Sequence, residues 1–217
     1  MGAIARAAAN NITTSGVFTS NAIANSSVTG ITVLANASDG ITLISSQTAS
    51  ASASISFTSG IDSTYKAYKF LWINCHPATD AAHFQFNMST DSGSNYNVTK
   101  TTTVFRAEQF EDASYTALDY PTAQDLAQST SFQTISHNIG ATAADESSSG
   151  SLIIFNPAST TYVKHFIGRA NGYRDGSVTE DFFSAGYGNT TSAVNAIQFK
   201  FSSGNIDDGK IYLYGIK

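Results

Sequence analysis

Along most of the chain, apolar and polar residues alternate with a period of two. The stretch "HFQFNM" places Phe84, Phe86 and Met88 on one side and His83, Gln85 and Asn87 on the other. A period of two is the signature of a β-strand with one face on a core. The same pattern begins at "ISF" (residues 55–57) and continues through "YKAYKFLWIN", with Tyr68, Phe70 and Trp72 on one face. That second run is apolar enough to predict a central strand covered on both sides. "VTKTTTVFRAEQF" is rich in β-branched residues, and further strands are expected at "SFQTISHNI", "GSLIIFN", "YVKHFIGRANGY", "DFFSAGYGN", "AIQFKF" and "KIYLYGI". Turn signals separate them: Asp145–Glu146, Asn156–Pro157, Asp175–Gly176 and Asn205 to Gly209.

Eight to ten short strands without a long helical pattern predict an all-β fold, an antiparallel jelly-roll-like β-sandwich over residues 51–217. In its last hairpin, Ile197, Phe199 and Phe201 would point inward, with Ile211 and Leu213 facing the same core. A chain cut after Lys210 should therefore unfold. The least regular part runs from Glu111 to Thr130 and reads as a long surface loop with a short helix near Ala123 to Ala127.

Residues 1–50 differ. Short apolar pairs are spaced by Ser, Thr, Asn and Gly, and Phe18 is the one aromatic residue. Such segments cannot close a core alone. They predict an extended N-terminal arm that orders by pairing with another chain, through Ile12, Val17, Phe18, Ile23, Val28 and Ile31. The spacing of Ile12, Ile23 and Leu34 hints at an eleven-residue period.

Charge narrows the partners. Only 12% of residues are charged, about half the usual share. The net charge is -5, and the 11 Lys and Arg form no run that could track phosphates, which argues against nucleic acid. No apolar stretch approaches the ~18 residues of a membrane helix, so no membrane insertion is expected. The N-terminus, "MGAIARAAANN", does not read as a secretory leader. Cys75 is the only cysteine and follows an apolar run, so it reads as a buried, packed thiol.

Candidate chemistry is sparse. His76, Asp80 and His83 could form a metal set, but His76–Pro77 breaks a helix, and the segment reads as a turn with His83 facing solvent. His137 and His165 could join a serine and an aspartate, yet no serine sits in a nucleophile elbow. Asp91 to Asn95 lacks the glutamate that completes a calcium loop and reads as a polar turn. The neighbours Glu180 and Asp181 would point apart on a strand and read as solvated loop charges, as do Glu111 and Asp112. No catalytic residue, cofactor or metal is expected. Tyr115, Tyr120, Tyr173 and Tyr187 lie in polar surroundings and could contact a glycan or a partner protein, or could simply close the edges of the sandwich.

Three segments carry a resemblance: "ISFTSGIDSTYKAYKFLWINCHPATD", "GSLIIFNPASTTYVKHFIGRANGY" and "NAIQFKFSSGNIDDGKIYLYGIK". With the leader "ANNITTSGVFTSNAIANSSVTGIT" they resemble structural proteins of tailed bacteriophages, particularly marine ones. The resemblance implies a non-enzymatic virion protein on the particle surface, assembled in the host cytoplasm. It would be a tail-associated fibre, tip or adhesion module, docked to other virion proteins by its arm. A homo-oligomer, most simply a trimer, is implied, with a host surface glycan or protein as a further partner. The alternative is a capsid decoration protein whose arm staples shell subunits. An enzyme that cleaves glycans is the competing class, and it would require two carboxylates roughly 5 to 9 Å apart in a cleft.

Overall fold

The structure is a computed structural model that describes residues 40–217. The six arm positions Ile12, Val17, Phe18, Ile23, Val28 and Ile31 lie outside the described residues. The sandwich starts earlier than residue 51, because β1 (Ile41–Thr48) is already paired antiparallel with the last strand, β12 (Ile206–Ile216). Between them run β2 (Ile55–Phe57), β3 (Ala67–Pro77), β4 (Ala82–Ser89), β5 (Lys100–Phe110), β6 (Thr116–Asp119) and β7 (Gln133–Ile139). These are followed by β8 (Ser148–Phe155), β9 (Lys164–Arg174), β10 (Val178–Gly188) and β11 (Ala196–Phe201).

The pairings resolve into two sheets joined at one corner. The long sheet runs β1-β12-β3-β8-β9-β10-β5-β6 and the short one β7-β4-β11-β2. A single pair, Ile139 opposite Arg174, links β7 to β9. If the hairpins β5–β6 and β9–β10 are set aside, the sheets read β1-β12-β3-β8 and β2-β11-β4-β7. That is the double Greek key of a jelly roll, so the expected antiparallel jelly-roll sandwich is the fold observed. The two hairpins are insertions, and both widen the long sheet beyond β8.

Alternation places the core between the sheets. Tyr68, Phe70 and Trp72 of β3 are fully buried, as are Phe84, Phe86 and Met88 of β4. Their rings meet across the sandwich: Trp72 and Phe84 at 5.5 Å between centroids, Phe70 and Phe199 at 5.2 Å, and Phe86 and Phe166 at 5.0 Å. Trp72 Nε1 donates to Ser148 Oγ (3.1 Å), which donates to Ser136 Oγ (2.8 Å), so this buried chain of polar atoms crosses from β3 to β7. Cys75 is a free, buried thiol, as its apolar setting suggested.

Several expectations need correction. Ile197, Phe199, Phe201, Ile211 and Leu213 are all buried, but β11 and β12 form no hairpin. The chain crosses between sheets there, which is how a jelly roll closes. β3 is central, yet its second face is open: Leu71 is half-buried and Ile73 is 41% exposed. Asn87 is not outward but fully buried. The 96–100 segment and Thr130 cover it, and its amide donates to Tyr96 O (2.7 Å) and Thr130 O (2.9 Å). No helix forms at 123–127. Leu126 N–H is drawn instead to Thr102 Oγ1 of β5 (2.7 Å), and residues 116–119 of the expected loop pair with β5 as β6.

Candidate functional site

The inserted hairpins build two features, one on each face of the long sheet. On the inner face, alternation along β5 brings Arg106 and Glu108 to the side of Val104. Alternation along β10 brings Glu180 to the side of Val178 and Phe182. The register sets Glu180 opposite Glu108. Glu180 is 1% exposed, so it is no solvated loop charge.

Its carboxylate is held by Arg106 Nη1 at 3.1 Å and Arg174 Nη1 at 3.5 Å. Arg174 also pairs with Glu108 Oε2. Arg106 Nε donates to Asp119 Oδ1 (2.9 Å), and that bond holds the Asp119 carboxyl below the usual range. His137 from β7 completes the group, with Nδ1 at 3.2 Å from Arg106 Nη1 and 3.5 Å from Glu180 Oε2.

The ring of His83 stacks on His137 at 4.7 Å. His83 accepts the Asn138 N–H at Nδ1 (3.0 Å), so it does not face solvent as expected. Burial, and then the neighbouring His137 and Arg174, lower its pKa to about 4 against the opposing pull of Glu180.

Two guanidiniums and three carboxylates thus tie β5, β6, β9 and β10 to the edge strand of the short sheet. Glu108 and Glu180 each lie against an arginine. Among the described residues, no three His, Cys, Asp or Glu side chains converge on a metal position. His76 is engaged elsewhere, with Nδ1 donating to Glu146 O. Asp91 closes its own turn: it accepts from Ser89 Oγ (2.6 Å) and from Asn95 N–H (2.9 Å).

The outer face carries different chemistry. The registers align Phe105, Phe183, Arg169, Ser151, Leu71 and Tyr212 in one row from β5 to β12. The next row is Thr103, Ala185, Ile167, Ile153, Lys69, Tyr214 and Leu43, and it reaches β1. Phe105 and Phe183 stack at 4.4 Å, and Arg169 lies 4.6 Å over Phe183 while pairing with Asp181. Ile41, Leu43, Phe105 and Ile167 are each 45% exposed or more. These apolar side chains are interspersed with Arg169, Ser151, Thr103 and Lys69 along the two rows.

The four tyrosines do not form one site. Tyr173 and Tyr187 stand on the outer face of the β9–β10 hairpin, and Tyr187 meets His165 edge-on at 6.2 Å. Tyr120 borders the same face, bonded to Thr103 Oγ1 (3.2 Å) and donating to Asp125 Oδ2 (2.8 Å). Tyr115 lies apart, its ring against Phe110 near the tip of β5–β6.

The inner cluster was missed because its members are spread from residue 106 to residue 180 over five strands. The available signal was that Glu180 shares its strand parity with Val178 and Phe182. No protein-family model, curated protein or solved structure matches this chain.

Proposed function

We propose that this chain is a non-enzymatic structural protein of a tailed-phage particle, a tail-associated fibre, tip or adhesion module. The observation that carries this reading is the outer face of the long sheet. Of its seven adjacent strands, β1, β3, β5, β8 and β9 present exposed aliphatic or aromatic side chains there, and the rings of β10 and β12 are half-buried, with Arg169 already paired to Asp181. Monomeric proteins rarely leave such a face bare, and particle subunits use it to meet partners. Jelly rolls recur in viral shells and in lectins, which supports the reading at the level of fold. The sequence resemblance supports it independently.

In this proposal, residues ahead of β1 dock the domain to other virion proteins, copies associate as a symmetric homo-oligomer, most simply a trimer, and the jelly roll is displayed. No helix among the described residues is long and apolar enough to cross a membrane. The test is location. Gold-labelled antibody against this chain, applied to intact particles, is expected at the tail end. Label spread over the head would replace the tail reading with a capsid decoration protein. Particles that carry no label would remove both.

A further inference from the structure

We infer that the rim of the outer face, where the β8–β9 connection passes, is a binding site for a neutral saccharide. A depression of about 590 Å³ lies there. This falls in the size range of small-ligand sites. Phe155, Asn156, Thr161, Tyr162, His165 and Thr191 line it. Two of these rings are open to solvent, Tyr162 at 69% and Phe155 at 40%.

The lining holds no Asp, Glu, Lys or Arg. An anionic ligand would find no cation there, and a cationic ligand no carboxylate. The site is too open to hide an acyl chain from water. What it offers is apolar ring surface beside neutral hydrogen-bonding groups. A pyranose has the matching surface: a face of polarised C–H bonds that lies on the negative face of an aromatic ring, and a rim of hydroxyls. The Asn156 amide, the His165 ring nitrogens and the hydroxyls of Thr161, Tyr162 and Thr191 have no hydrogen-bond partner among the described residues. They are free to meet those hydroxyls.

The platform is held in place before any ligand arrives. Asn156 takes a left-handed backbone (φ 45°), which Asn tolerates better than most residues, and its N–H donates to Lys66 O (2.6 Å). Ser159 Oγ accepts the N–H groups of Thr161 (3.2 Å) and Tyr162 (3.0 Å). From beneath, the fully buried Lys164 donates to Tyr162 O (2.6 Å) and Thr190 O (3.1 Å), joining the two loops that form the rim. A loop fixed in this way loses little entropy on binding.

That the sugar comes from a host surface rests on the adhesion reading above. The chemistry of the site does not. Saturation-transfer NMR on the full chain tests it, with four neutral tetrasaccharides as probes, based on glucose, galactose, mannose and N-acetylglucosamine. At least one probe should bind, Tyr162→Ala should weaken it about tenfold, and Tyr162→Phe should retain most of the affinity. Thr191→Ala should weaken binding as well, and Tyr120→Ala, outside the depression, should not. Melting curves confirm that each variant is folded. Failure of all four probes to bind overturns the inference, as does binding that Tyr162→Ala leaves unchanged. Gold label at the tail with no sugar binding would remove this site alone. Sugar binding without label on particles would remove the virion reading alone.

Discussion

Glu180 and Asp181 are adjacent in β10 and carry the same charge, yet they sit in opposite electrostatic worlds. Glu180 points between the sheets, where Arg106 and Arg174 hold its 1% exposed side chain. Asp181 points outward to Arg169, whose side chain is 64% exposed. Removing one partner of a buried ion pair leaves an uncompensated charge, at a cost of about 3–5 kcal/mol. An exposed pair contributes less than about 1 kcal/mol. Urea denaturation should therefore show a large midpoint loss for Glu180→Ala and a small one for Asp181→Ala. Equal losses would mean that the inner cluster is not the clamp described.

The burial of His83 against His137 makes the fold sensitive to mild acid through His83. The folded pKa of His83 is about 4, below the ordinary value of 6.5. Between those values the unfolded chain binds a proton that the folded chain refuses. Stability therefore falls as pH drops from about 6.5 to about 4, and this contribution is flat above 6.5. His83→Gln retains an acceptor for the Asn138 N–H and cannot titrate. Its melting temperature should decline less than that of the wild type across the window. Parallel profiles would assign the acid sensitivity to other groups.

Cys75 gives a probe of opening. Burial, and to a lesser extent Asp208, push its thiol up to about 12. The thiolate is the reactive form. A thiol-specific disulfide reagent at pH 8 should leave the folded protein unmodified and label it completely in denaturant. Rapid labelling of the folded chain would contradict the packing around β3.

How much of this was legible beforehand follows from the range of each signal. Alternation is local, so the strands and the inward residues of β3, β4 and β11 could be read directly. Phe84, Phe86 and Met88 show this. Which strands pair is a long-range property, and the crossing of β12 into the other sheet, between β1 and β3, leaves no mark on the residues around Gly204. The inner cluster was hidden for the same reason, since Arg106 and Glu180 are 74 residues apart. Asn87 departs from its expected exposure because parity gives the side of a strand and not what lies on top of it. Polar neighbours in sequence mark Tyr115, Tyr120, Tyr173 and Tyr187, but they do not mark Tyr162 and Phe155, which a turn brings together.

The place of β12 makes the chain sensitive to truncation. It lies between β1 and β3, and Ile211 and Leu213 are fully buried. Ending the chain at Lys210 removes those side chains, each stabilising by about 1.5–3 kcal/mol, and most of two ladders. Total stabilities are only about 5–15 kcal/mol. The truncated chain should show no cooperative thermal transition by circular dichroism. A retained transition would mean that β12 is an accessory strand.

Lys100 is buried with no carboxylate paired to it among the described residues, and its ammonium donates to Asn87 Oδ1 and to Val98 O (2.8 Å). Burial lowers its pKa to about 7, from an ordinary 10.5. Below pH 7 both folded and unfolded chains hold the proton, and the folded chain bears the full cost of a buried charge. Between 7 and 10.5 the unfolded chain keeps the proton that the folded chain has released, so this contribution to stability rises with pH. Other groups work against it, because the thiol of Cys75 ionises more readily once unfolded. The difference between two proteins isolates the lysine. Lys100→Met removes the titration while leaving Asn87 Oδ1 its bond from Met88 N–H (2.8 Å). In urea at pH 7, 8.5 and 10, the stability of the wild type should climb relative to the variant at each step. A constant difference across the three would mean that Lys100 stays charged in the fold, with its two acceptors sufficient to hold an ammonium out of water.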